Sequence, residues 1–79
     1  MRIRVRLFGT LGNKFSNHDP IHGFEVDISD GATIDDLIKK LDIHTSKIGP
    51  VSIDGRLATP SEKLEKGNFV RMYHPLSGG

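Results

Sequence analysis

The chain contains no cysteine. Neither a disulfide nor a thiolate zinc site can staple it. No apolar run approaches the ~18 residues of a membrane-spanning helix. Charge of one sign is also lacking: eleven Lys and Arg against ten Asp and Glu leave +1. That balance gives no signal for nucleic acid or a membrane surface as partner. The opening Met1-Arg2-Ile3-Arg4-Val5-Arg6 has no continuous apolar block, so no signal peptide is expected. The absence of thiols suits a reducing compartment, and a cytoplasmic protein is expected. There is no internal repeat, low-complexity tract or interdomain linker.

What remains is 79 residues, 35% of them apolar, which is enough for one domain. Surface scaling buries only about 60% of so short a chain, so the core is thin and must be well patterned. Residues 2–8 alternate, with Ile3, Val5 and Leu7 on one face and Arg2, Arg4 and Arg6 on the other. That period predicts a half-buried strand. Residues 9–23 have loop composition, and Phe15 is expected to pin them to the body. Phe24, Val26 and Ile28 alternate with Glu25, Asp27 and Ser29, a second strand paired with the first as a hairpin. Glu25 and Asp27 should then face the arginine stripe and neutralise much of it.

Thr33 reads as a helix N-cap, with Asp35 and Asp36 in the first turn and Lys39 and Lys40 near the end. Ile34, Leu37, Ile38 and Leu41 form one apolar stripe, and the helix should end near 42–45. Val51 and Ile53 make a short strand before the turn signal Asp54-Gly55. Residues 56–66 read as a loop with Leu57 and Leu64 as core anchors. Gly67-Asn68 opens a last strand with Val70 and Met72 on one face and Phe69, Arg71 and Tyr73 on the other. The expected architecture is α+β, a mixed sheet of four to five strands packed on one main helix. Residues 1–74 form the domain, and 75–79 a thin tail.

Few residues suggest chemistry. His18 and His22 lie four apart, but in a Gly- and Pro-interrupted loop, and His44 and His74 lie elsewhere. No metal site is expected. Asp35-Asp36 is explained by helix-start charge. No nucleophile–base pair and no phosphate loop is present. The ending Pro75-Leu76-Ser77-Gly78-Gly79 is the informative segment. A terminal carboxylate is a poor electrophile, being anionic and without a leaving group. Transfer of AMP from ATP would make it a mixed anhydride open to sulfur or an amine. A tail entering a buried nucleotide site must be slim and conformationally tolerant, as glycine is. Pro75 stiffens the exit from the sheet. The plainer account of the same residues is a frayed end without function.

Taken together, several segments resemble one family. Val5-Arg6-Leu7-Phe8-Gly9-Thr10-Leu11, Thr33-Ile34-Asp35-Asp36-Leu37, Val51-Ser52-Ile53-Asp54-Gly55, Lys66-Gly67-Asn68-Phe69-Val70 and the Ser77-Gly78-Gly79 ending occur in order along nearly the whole chain. They resemble the ubiquitin-like β-grasp sulfur carriers, which include the small subunit of molybdopterin synthase and the sulfur carrier of thiamine biosynthesis. The chain departs from the pattern at three places. Asp54 stands for the usual Asn, Asn68 for the usual Asp, and His74 for a common Pro.

The resemblance implies a β-grasp fold and a non-enzymatic role. A ubiquitin-activating-type enzyme would use ATP to adenylate Gly79, behind Gly78, and a thiocarboxylate would follow. That sulfur would pass to a precursor on the large subunit of molybdopterin synthase or an equivalent acceptor. No cofactor would be bound. Phe69, Arg71, Tyr73, His74, Pro75, Leu76 and Ser77 would contact partners. The length and the Ser-Gly-Gly ending lean toward the molybdopterin branch. A thiamine-pathway carrier, a modifier joined to lysines, and a simple protein- or RNA-binding module are the alternatives.

Overall fold

The structure, a computed structural model, describes residues 1–75. Strand β1 (Arg2–Leu7) pairs antiparallel with β2 (Phe24–Asp27), as the alternation predicts. Helix α1 (Ile34–Lys40) follows, then β3 (Val51–Ile53), β4 (Arg56–Ala58) and β5 (Phe69–Met72). The five strands lie in the order β2-β1-β5-β3-β4. The first and last strands are parallel neighbours at the centre, while the other pairs are antiparallel. The inward residues Ile3, Val5, Leu7, Val26, Val51, Ile53, Val70 and Met72 join Ile34, Leu37 and Ile38 of α1 in one core.

Local chemistry sets each boundary. Thr33 Oγ1 accepts the Asp36 N–H at 3.1 Å, and Asp36 Oδ2 accepts the Thr33 N–H at 2.9 Å. This reciprocal capping box fixes the start of α1. Asp36 is held below the usual carboxylate range, first by that backbone hydrogen bond. The helix ends earlier than the expected 42–45. The Ile43 N–H bonds to Ile38 O and the Asp42 N–H to Lys39 O, while Asp42 takes φ 56°. This is a Schellman stop with Asp at the left-handed position where glycine is usual. Without that glycine, the end is hard to see in the sequence.

Residues 9–23 contain a short 3-10 helix (Gly9–Lys14), and Phe15 stacks on Phe24 at 5.2 Å between centroids, pinning the segment as expected. Residues 56–66 are not all loop. Asp54 and Gly55 both have positive φ (49° and 89°), the requirement of a type I′ hairpin turn, and β4 follows at once. The register then sets Ile53 opposite Arg56 and Ser52 opposite Leu57. Leu57 therefore faces outward and is 76% exposed, which corrects the expectation of a core anchor. Leu64 is buried, as expected, and its N–H bonds to Ala32 O at 2.7 Å. Among the described residues, no helix is long and apolar enough to cross a membrane.

Candidate functional site

The sheet has one face on the helix and one face open. The open face begins with charge. Arg2 Nε donates to Asp27 Oδ1 at 3.0 Å, and Arg2 Nη1 lies 3.3 Å from Glu25 Oε2. Arg4 Nη2 donates to Glu25 Oε1 at 3.0 Å, and Arg4 Nη1 to His22 O at 3.1 Å. Asp27 is drawn below the usual carboxylate range by the Arg2 hydrogen bond and then by its charge, while Arg2 is raised by the same pair. The arginine stripe is thus largely spent on β2, as the strand pairing predicts.

Toward the other end of the sheet the face becomes aromatic. The Arg71 guanidinium lies 4.3 Å from the centre of the Phe69 ring. Arg6 lies 4.2 Å over Phe8, and Phe8 stacks on Tyr73 at 4.3 Å. Each cation over a ring gains quadrupole attraction. Arg6 Nε also donates to Pro20 O at 3.0 Å. Arg71 has no carboxylate partner within salt-bridge range among the described residues. The register places Arg6, Arg71, Ser52 and Leu57 in one row across β1, β5, β3 and β4.

A shallow concavity on this face is lined by Pro50, Ser52, Gly55, Leu57, Arg71 and Tyr73. Ser52 is 7% exposed, and its Oγ has no hydrogen-bond partner among the described residues. A buried hydroxyl without a partner costs free energy that a docked polar group can recover. An exposed leucine, aromatic rings and a guanidinium without a carboxylate partner surround this hydroxyl on the open face. The expected partner residues Phe69, Arg71 and Tyr73 therefore come together here, each half-buried. Sequence reasoning missed Phe8, Ser52 and Leu57. The two-residue Asp54-Gly55 turn carried the signal for the last two, because it fixes which residues oppose each other across β3 and β4.

Strand β5 leads straight to the end of the described chain. The Phe8 N–H bonds to Met72 O at 3.0 Å. On the other side, the Gly49 N–H bonds to Tyr73 O at 2.6 Å and the Tyr73 N–H to Pro50 O at 3.0 Å. His74 and Pro75 are exposed beyond them. Leu76, Ser77, Gly78 and Gly79 lie outside the described residues. The histidines do not converge. The His18 ring accepts the Leu7 N–H on Nε2 at 3.0 Å. His22 Nδ1 lies 3.3 Å from Asp19 Oδ2, and His44 Nδ1 lies 2.7 Å from Ser46 Oγ. Among the described residues, no three metal-ligating side chains form a group.

No protein-family model and no curated protein matches the sequence. Solved structures do match. A Pyrococcus furiosus protein described as a candidate molybdopterin converting factor, subunit 1, superposes with a TM-score of 0.70 at 18% identity, covering 95% of this chain and 98% of that one. One crystal structure of small archaeal modifier protein 1 from Haloferax volcanii gives 0.70 at 20% identity, covering 100% of both chains. A second gives 0.71 at 18%, covering 95% and 98%. At these identities the shared property is the fold, and the fold is the ubiquitin-like β-grasp.

Proposed function

We propose that this β-grasp chain is a sulfur carrier whose reacting group is the carboxylate of Gly79. The observation that carries the reading is the placement of β5. This central strand displays Phe69, Arg71 and Tyr73 on the open face and continues directly into His74-Pro75 and the Ser77-Gly78-Gly79 ending. The open-face residues of β5 and the Gly79 end thus lie on one short stretch of the sequence. The likeness in fold to a protein described as a molybdopterin converting factor subunit supports the same reading.

A ubiquitin-activating-type enzyme docks on the open face. A carboxylate oxygen of Gly79 bonds to the α-phosphorus of ATP, and pyrophosphate leaves. Hydrosulfide-level sulfur adds to the acyl carbon, and AMP leaves with the bonding pair. The product is a terminal thiocarboxylate. A second protein, the large subunit of molybdopterin synthase or an equivalent acceptor, then takes the sulfur for a cofactor precursor. The chain itself catalyses nothing and holds no cofactor, and ATP belongs to the activating enzyme. No internal thiol competes for the activated carbonyl, because the chain has no cysteine.

Intact mass spectrometry after incubation with the adenylating enzyme, ATP and a sulfur source tests this. The expected result is the mass gain of one oxygen-for-sulfur exchange, absent when Gly79 is deleted. An unchanged mass under conditions that adenylate a known carrier defeats the proposal. A second reading is favoured by the likeness to small archaeal modifier protein 1. There a lysine amine replaces sulfur as nucleophile and an isopeptide forms as AMP leaves. Conjugates in cells that vanish on deletion of Gly79 distinguish it. A plain RNA-binding module is disfavoured by the pairing of Arg2 and Arg4 with Glu25 and Asp27.

A further inference from the structure

The base of the tail passes between two glycines from distant parts of the chain. Gly9 begins the 3-10 helix after β1 with φ +60°. Its α-carbon is covered by the His74 imidazole, so that a Cβ at Gly9 would overlap Nε2 and Cδ2 of that ring. Gly49 precedes β3 on the opposite flank of β5. A Cβ there would lie 2.5 Å from His74 O, 2.7 Å from the His74 carbonyl carbon and 2.9 Å from Pro75 Cα. One glycine thus seats the side chain of His74 and the other seats its backbone. The hydrogen bonds of Phe8 to Met72 O and of Gly49 to Tyr73 O hold the preceding residues from the same two flanks.

We infer that Gly9 and Gly49 form a collar around His74-Pro75 that aims the tail, and that both are positioning residues for activation of Gly79. The inference rests on the proposed carrier function and adds the device that sets direction. Docking on the open face fixes the body against the partner. The collar then fixes the direction of the chain at His74-Pro75. Displacement of a reacting group by about 1 Å can cost up to about 100-fold in rate even when binding is intact. A collar defect should therefore appear in kcat rather than in KM.

The test uses the full chain with the adenylating enzyme that activates the wild type, read by pyrophosphate release. Gly49→Ala forces the His74 carbonyl aside and should lower kcat about 10- to 100-fold while KM stays within about twofold. Gly9→Ala sets its methyl against the imidazole and also strains a backbone held at φ +60°. It should lower kcat also, and adding His74→Ala should relieve the part of the loss that comes from the ring. The same second change should not rescue Gly49→Ala, whose obstacle is backbone. Wild-type kcat in Gly49→Ala, or no relief of Gly9→Ala by His74→Ala, overturns the collar. Should Gly49→Ala fail to fold, the Gly9 and His74 pair decides alone. If the wild type is never adenylated, the carrier reading fails separately. Residual dipolar couplings at Tyr73 and His74 then decide the collar: couplings unchanged by Gly49→Ala overturn it.

Discussion

Asp54 and Asn68, two positions at which the sequence departs from the pattern it resembles, are bonded to each other. Asn68 Nδ2 donates to Asp54 Oδ2 at 2.7 Å, although the residues are 14 apart in sequence. Asp54 Oδ1 accepts the Phe69 N–H at 2.9 Å, and Asn68 Oδ1 accepts the Glu65 N–H at 2.6 Å. The pair therefore ties the β3–β4 turn to the entry of β5. Both carboxylate oxygens of Asp54 and both polar ends of Asn68 are used. Swapping the two residue types keeps every one of these bonds and reverses only the direction of the central one.

Single substitutions behave differently. Asn68→Asp removes the donor and sets two carboxylates against each other. Asp54→Asn sets two amide donors against each other, since turning Asn68 over would abandon the Glu65 N–H. An exposed hydrogen bond to a charged group contributes about 1 kcal/mol net, and the facing carboxylates add a similar repulsion. For a domain of this size about 1 kcal/mol shifts Tm by roughly 4–8 °C. Asp54→Asn should therefore lower Tm by about 5 °C and Asn68→Asp by about 10 °C. The double exchange should return to within about 0.5 kcal/mol of the wild type, a coupling of about 3 kcal/mol in a double-mutant cycle. The Asn68→Asp deficit should shrink as pH falls through the carboxylate range, because a protonated carboxyl again supplies a donor. Thermal unfolding of the four proteins checks this, and additive single effects refute it.

Other expectations are as direct. Thr33→Ala removes the acceptor of the capping box on a helix of seven residues and should cost about 1 kcal/mol in urea unfolding; an unchanged midpoint contradicts it. Asp19 accepts the backbone N–H groups of His22 and Ile21, chiefly the former, and its pKa is lowered to about 2 from 3.8. A depressed carboxylate stabilises above its unfolded pKa, and this support is lost as pH falls between about 3.8 and about 2. An NMR titration should show the Ile21 and His22 amides moving with a midpoint near 2, and a midpoint near 3.8 is the contrary result. Leu57→Asp adds charge to the open face without touching the core, and should raise KM for the activating enzyme about tenfold with kcat and Tm unchanged. Unchanged KM would move the docking surface elsewhere.

The parts of the fold that obey a simple period were legible. The alternation in residues 2–8 gave β1 and its pairing, and the stripe of Ile34, Leu37, Ile38 and Leu41 gave α1. What escaped depends on local geometry that residue type signals poorly. The Schellman stop uses Asp42 where glycine is the usual sign. Strand β4 has only three residues and shows an exposed Leu57 where hydrophobicity suggests burial. That error was avoidable: a two-residue turn at Asp54-Gly55 makes Leu57 oppose Ser52, and Ile53 points inward, so both must point outward. The aromatic trio on β5 could be read by parity alone. Phe8 could not, because it lies one residue past β1 and meets Tyr73 only through the parallel pairing of the first and last strands. The closeness of Gly9 and Gly49 to His74 is likewise a property of topology.

That topology bears on why such a body suits the proposed chemistry. A strand at the centre of a sheet is fixed from both sides, and here β5 is held by β1 and β3. A tail leaving an edge strand would inherit the fraying of that edge. On the proposed reading, Arg71 on the open face and the reacting Gly79 are eight residues apart, so an extended chain spans at most about 27 Å between them. Any enzyme that grips the open face must hold its nucleotide within that radius. On the proposed reading, specificity resides in the body and reactivity in Gly79.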